Sequence, residues 1–125
     1  MILNTRSLKN LEGVHEDLIL VVHRAAEITN IDFIVTEGLR TLEKQKKLFE
    51  KGASKTMKSR HLTGHAIDLA AVIDGEVRWE FPLYDQLADT MKEAAQIEGV
   101  AIEWGGSWLK FRDGPHFQLP WSKYP

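Results

Sequence analysis

Ser59-Arg60-His61-Leu62-Thr63-Gly64-His65-Ala66-Ile67-Asp68-Leu69-Ala70-Ala71 sets one acidic side chain inside the most apolar run of the second half of the chain. Ala66 to Ile73 reads as a buried strand. An isolated ionised Asp68 there is costly unless it is paired, hydrogen-bonded or bound to a metal. His61 lies seven residues upstream, and Gly64 between them lets the backbone turn into the strand, so an imidazole and a carboxylate can converge on one ion. The chain has no cysteine, which excludes a thiolate zinc site. Two histidines and one carboxylate with an open position for water form a common catalytic arrangement. His116 is the candidate for the remaining ligand.

The 125 residues, 43% hydrophobic and 27% charged, suit one domain over 1-125 with its own core. Without cysteines the fold cannot depend on disulfides. Met1-Ile2-Leu3-Asn4-Thr5-Arg6 lacks the pattern of a secretory leader, and no apolar run approaches the roughly 20 residues of a membrane span. Synthesis in the cytosol without a signal peptide, and no membrane insertion, are therefore expected. Net charge is -2, yet Arg40 to Arg60 carries eight Lys or Arg against Glu43 and Glu50. That segment reads either as a solvated helix face and loop or as a patch drawn to an anionic polymer, and charge alone does not decide.

Around the central stretch, Leu8, Leu11, Leu18, Val22 and Ala25 keep helical spacing, which predicts an amphipathic helix over residues 7 to 29. Its His15 and His23 read as surface or packing residues. Ile31 to Thr36 predicts a strand that delivers Arg40 just beyond its end. Thr41 is placed to cap a helix with Leu42, Leu48 and Phe49 inward and Gly52 as its stop. After the central strand, Asp74-Gly75 signals a hairpin into Glu76 to Glu80. Leu83 to Ile97 predicts a second long helix, with Leu87, Met91 and Ala94 on one face and Gly99 at its end. Val100 to Trp104 reads as a strand. A glycine-rich aromatic tail then leads to a last strand through His116.

Asp113 and His116 flank Gly114-Pro115, so a loop carboxylate can act on water beside a histidine that holds a metal. An ordinary turn is the plain reading of Asp113-Gly114-Pro115, and its pairing with a ligand candidate favours the chemical one. Glu103 is the rival base, expected along a strand toward solvent or Arg40. His65 is the rival ligand, but alternation turns it to the face opposite Asp68. With Gly64 and no Glu between them, His61 and His65 do not make a metalloprotease helix.

Ser59-x-His61-x-x-Gly64-x-Ala66-x-Asp68 followed by Asp113-x-x-His116, with Glu37-Gly38-Leu39-Arg40-Thr41 and Trp104-Gly105-Gly106-x-Trp108, resembles the D-alanyl-D-alanine carboxypeptidase family of zinc peptidases. The resemblance spans nearly the whole chain. The small size and the Trp-Gly-Gly segment are most similar to the L-alanyl-D-glutamate endopeptidases, the single-domain endolysins of bacteriophages. The resemblance implies an α+β fold, a small antiparallel sheet flanked by two long helices and one shorter helix, related to that of hedgehog-type domains. It implies one Zn2+ on His61, Asp68 and His116, Asp113 as catalytic acid and base, and Arg40 as stabiliser of the oxyanion. Ser59, Trp104 and Trp108 are implied to lie near substrate. The implied partner is the peptide stem of peptidoglycan, cut at the L-alanyl-D-glutamate bond during host lysis. A monomer with no nucleic-acid partner is expected, reaching the wall through a separate membrane-permeabilising protein. Two positions depart from the family pattern: many relatives have Glu where Asp113 stands, and the endopeptidase branch often has Asp in place of Ser107. A D,D-carboxypeptidase is the alternative. A non-catalytic zinc-containing cell-wall binding module is a further one, against which Asp113 and Arg40 argue.

Overall fold

Alternation along Ala66–Ile73 decides which side of the protein becomes core and which becomes site. In the computed structural model, which describes residues 1–54, 56–110 and 112–125, this stretch is β2. Lys55 of the basic segment and Phe111 of the aromatic tail lie outside the described residues. Ile67, Leu69 and Ala71 enter the hydrophobic core, and Ala66, Asp68 and Ala70 point to the opposite face.

The other strands follow the same division. β1 (Asp32–Glu37) pairs antiparallel with β2 and sends Phe33 and Val35 into the core. A bulge between Val35 and Glu37 then switches faces, so Glu37 stands opposite Asp68. β5 (His116–Gln118) pairs with the other edge of β2, with His116 opposite Asp68, and buries Phe117 in the core. β4 (Glu103–Trp104) adds to β5, and β3 (Glu76–Arg78) returns on β2 after Asp74-Gly75, both with positive φ as a tight hairpin requires. The sheet order is β1-β2-β5-β4, with β3 off this path.

The helices cover the core face. α2 (Glu16–Ile28) contributes Leu18, Val21, Val22 and Ala25, and α4 (Phe81–Glu98) contributes Leu87, Met91 and Ala94. α4 ends at Gly99 with φ +70. No helix among the described residues is long and apolar enough to cross a membrane.

Four expectations change in detail. The helix foreseen over 7 to 29 is two helices, α1 (Thr5–Asn10) and α2, separated by a turn through Gly13 at φ +82. α1 lies against β1, where the Ser7 hydroxyl accepts from Val35 N at 2.9 Å and the Asn10 amide donates to Val35 O at 2.9 Å. These side chains satisfy backbone groups at the bulged edge of the sheet. In α3 (Leu42–Glu50), Thr41 does cap the helix by accepting from Lys44 N, but Leu42 and Phe49 are exposed and Gln45 is the buried residue. The strand foreseen over 100 to 104 is limited to Glu103–Trp104, and that foreseen over 76 to 80 to Glu76–Arg78.

Candidate metal centre and catalytic cleft

The site grows from the face of the sheet turned away from the core. Register brings Glu37, Asp68 and His116 into one row across β1, β2 and β5. His61 arrives from outside the sheet, on the 3-10 turn Arg60–Thr63. Ser59 caps that turn, its hydroxyl accepting from His61 N at 3.2 Å, and Gly64 closes it with φ +74. A Cβ on Gly64 would meet Gly13 O at 2.3 Å, so both the positive φ and the close approach demand glycine. Arg60 anchors the turn from behind. Its buried guanidinium donates to Leu119 O and Tyr124 O and lies 3.9 Å from the Trp121 ring centroid.

The donor atoms of His61, Asp68 and His116 all lie within 4.8 Å of one another. His61 Nε2 is 3.2 Å and His116 Nδ1 3.3 Å from the same oxygen, Asp68 Oδ1. The far nitrogens are engaged elsewhere: His61 Nδ1 sits 2.8 Å from Gly38 O, and His116 Nε2 sits 2.8 Å from Gln118 Oε1. Each ring that donates its far N–H to a carbonyl keeps a lone pair for the common centre, the usual outer support of histidine ligands. Two imidazole nitrogens and one carboxylate oxygen therefore form a group that can bind a metal ion, and the residues fit that role. Burial alone would raise the Asp68 pKa, but hydrogen bonds from His116 and His61 and their charges hold its carboxyl well below the usual range. Asp68 is thus an anion ready to ligate.

Asp113 and Arg40 line the same cleft of about 980 Å³. The Asp113 loop is fixed by its backbone: Asp113 N donates to Gly105 O at 3.0 Å and His116 N to Asp113 O at 3.2 Å. A Cβ on Gly105 would lie 2.5 Å from Asp113 O, so the Trp-Gly-Gly turn must be glycine where the loop crosses it. Among the described residues the Asp113 carboxylate has no hydrogen-bond partner. Burial, reinforced by the charge of Asp68, raises its pKa against the opposing pull of His116, His61 and Arg40. Such a carboxylate binds a proton more readily than an exposed one. The Arg40 side chain, 9% exposed, is clamped by Glu37 at 2.6 Å and by the Gln45 carbonyl at 2.6 Å, and its backbone N donates to His61 O at 2.9 Å.

The remaining expected site residues separate. Ser59 and Trp108 line the cleft, with the Trp108 ring 5.1 Å from that of His116. Trp104 does not. It is buried, donates its indole N–H to Gly114 O at 2.7 Å and stacks near Phe117, so it holds the Asp113 loop from the core side. Glu103 is exposed, 3.4 Å from Gln118 and outside the cleft lining. His65 contacts Thr63, His15 and Tyr124 outside the site. His15 caps α2 by accepting from Asp17 N. Residue patterns missed Gln118 and Gln45, and gave Glu37 no role beyond its place in the motif that ends at Thr41. Gln118 was signalled only by its place two residues after His116 on one strand face.

A family model described as phage L-alanyl-D-glutamate peptidase matches residues 1–119. The L-alanyl-D-glutamate peptidase of Listeria phage A118 is 31% identical over 123 residues, covering 96% of this chain and 43% of the relative. That of Escherichia phage T5 is 30% identical over 106 residues, covering 82% and 77%. Thus the chain spans less than half the length of the Listeria phage relative. The crystal structure of the Serratia marcescens L-Ala D-Glu endopeptidase ChiX superposes with a TM-score of 0.93 at 45% identity, covering 97% of this chain and 91% of that one.

Proposed function

The chain belongs to the phage L-alanyl-D-glutamate peptidase family, and we propose that it is a zinc metallopeptidase cutting the L-alanyl-D-glutamate bond in the peptide stem of peptidoglycan, as an endolysin in host lysis. The observation that carries the reading is one cleft holding the convergent donors of His61, Asp68 and His116 together with Asp113 and Arg40. Relatives named for this bond, one of them 45% identical over almost the full length, support the choice of bond.

His61, Asp68 and His116 would hold the zinc, which when bound supplies Lewis acidity toward the scissile carbonyl and acidifies water. Asp113 takes the proton of the attacking water and delivers it to the departing amine. Burial beside Asp68 suits it to both halves of that transfer. Arg40 carries a fixed positive charge to the cleft and faces the negative charge that develops on the carbonyl oxygen. Glu37 and Gln45 hold it there, so little reorganisation accompanies the reaction. Ser59 and Trp108 flank the ligands and contact the stem. Muropeptide stems carry free carboxylates, and Lys44, Lys58, Lys110 and Arg112 line the same cleft, which favours their capture by a monomeric enzyme.

Elemental analysis of the purified protein tests the metal: about one zinc per chain is expected. Activity on muropeptides should disappear with a chelator and return with zinc. Activity indifferent to the chelator, in a protein containing no zinc, overturns the reading.

A further inference from the structure

We infer that Gln118 and Glu103 act together as a tautomer lock on His116, with Glu103 a positioning residue working through Gln118. The inference rests on the reading of His61, Asp68 and His116 as a metal site. A second row across the sheet supplies the geometry. Glu103 on β4 is the register partner of Gln118 on β5, two residues along the strand from His116. All three side chains stand on the face turned away from the core.

His116 meets Asp68 through Nδ1, so Nδ1 is the atom it would offer a metal, and a ring proton on Nε2 keeps that atom free. Nε2 is 2.8 Å from Gln118 Oε1, an acceptor that favours this tautomer. A glutamine amide, however, fits its space equally well after a half-turn that exchanges oxygen for NH₂. Flipped, it would offer His116 a donor, draw the lone pair to Nε2 and leave the proton on Nδ1, where the metal must bind. Gln118 is buried, and the group that decides between the two orientations is Glu103 Oε2, 3.4 Å from Gln118 Nε2. An ionised carboxylate only accepts. It therefore holds the NH₂ outward and the carbonyl toward His116. The carboxylate that seemed a rival base thus has its task behind the ligand, outside the cleft that Asp113 lines.

Zinc affinity measured by competition with a chromophoric chelator, alongside the melting temperature of the metal-free protein, tests the lock. Glu103→Gln retains an acceptor and should stay within about threefold of the parent, well inside the effect expected for loss of an outer partner. Glu103→Lys offers only donors, so the amide turns and affinity should fall about 10–100-fold. Gln118→Leu should fall by a similar factor. In the Gln118→Leu background, Glu103→Lys should cost little more, because without the amide it has nothing to turn. A mere repulsion between the new lysine and the metal would instead persist in full in the double variant. The lock is overturned if Glu103→Lys binds zinc like the parent, or if its loss adds fully to that of Gln118→Leu. It is also overturned if Glu103→Gln keeps zinc but loses hydrolysis, as a true base would. A parent that binds no zinc refutes the metal site itself, which is a separate result.

Discussion

Asp113 and Asp68 are both carboxylates in one cleft, yet their surroundings push them apart. Two histidines hold Asp68 as an anion, while burial and the charge of Asp68 make Asp113 a better proton acceptor. That difference supports the proposed roles of Asp68 as ligand and Asp113 as base. Asp113→Ala should keep zinc and melting temperature but lose hydrolysis by about 10²–10⁴-fold, the range of a general acid or base. Turnover of a muropeptide, read beside zinc content, checks this. Asp68→Ala should instead lose zinc, because it removes the one oxygen to which both histidines point. The convergence of His61 and Asp68 was legible in the sequence because a charge in an apolar strand demands a partner, and glycine and histidine upstream offered one. Trp104 was misplaced because an aromatic beside a glycine pair looks the same whether it faces substrate or the core. Only the indole bond to Gly114 distinguishes the two.

At the scale of elements, strand alternation was readable and helix faces were less so. β2 was foreseen over its full length because its apolar run has the strand length and a turn signal at each end. The α3 face was misread because its spacing put Leu42 and Phe49 inward, whereas Leu42 is 64% and Phe49 45% exposed. Gln45 takes the buried place, bonding Arg40 on one side and Ser54 and Thr56 on the other. Here site geometry outweighs hydrophobic periodicity. The bulge ending β1 shows the same dependence of site on backbone. Gly38, just beyond it, offers its carbonyl to His61, and a Cβ there would lie 2.0 Å from Asn10 O. Gly38→Ala should therefore destabilise the protein by about 1–3 kcal/mol, as overpacking typically does. It should also weaken zinc binding by displacing the His61 partner. Denaturant melts and chelator competition on this variant read the two effects separately.

For the whole molecule, one sheet face buries the core and the other carries the ionic groups, so stability and chemistry share a backbone. Glu37 links them to pH. Burial alone would raise its pKa, but hydrogen bonding and charge from Arg40 lower the net value below that of a free glutamate. A carboxyl whose folded pKa is depressed contributes stability above its unfolded value, near 4.3, and loses it as pH falls through the folded value. The melting temperature of the parent should exceed that of Glu37→Gln near neutral pH, and the gap should close below about pH 4. Metal removal acts on the same scale. At a thousandfold excess over its dissociation constant a ligand stabilises by about 4 kcal/mol, so chelation should lower the melting temperature by on the order of 10 °C.

The central claim, that the His61-Asp68-His116 site with Asp113 hydrolyses a stem peptide at one bond, is tested most directly by mass spectrometry of purified disaccharide muropeptides after incubation. The zinc-loaded protein should release the disaccharide still carrying L-alanine and a peptide beginning with D-glutamate, with no product from the chelated protein and about 10²–10⁴-fold less from Asp113→Ala. Loss of a terminal D-alanine instead would make it a D,D-carboxypeptidase, and muropeptides left intact by the zinc-loaded protein would contradict the account.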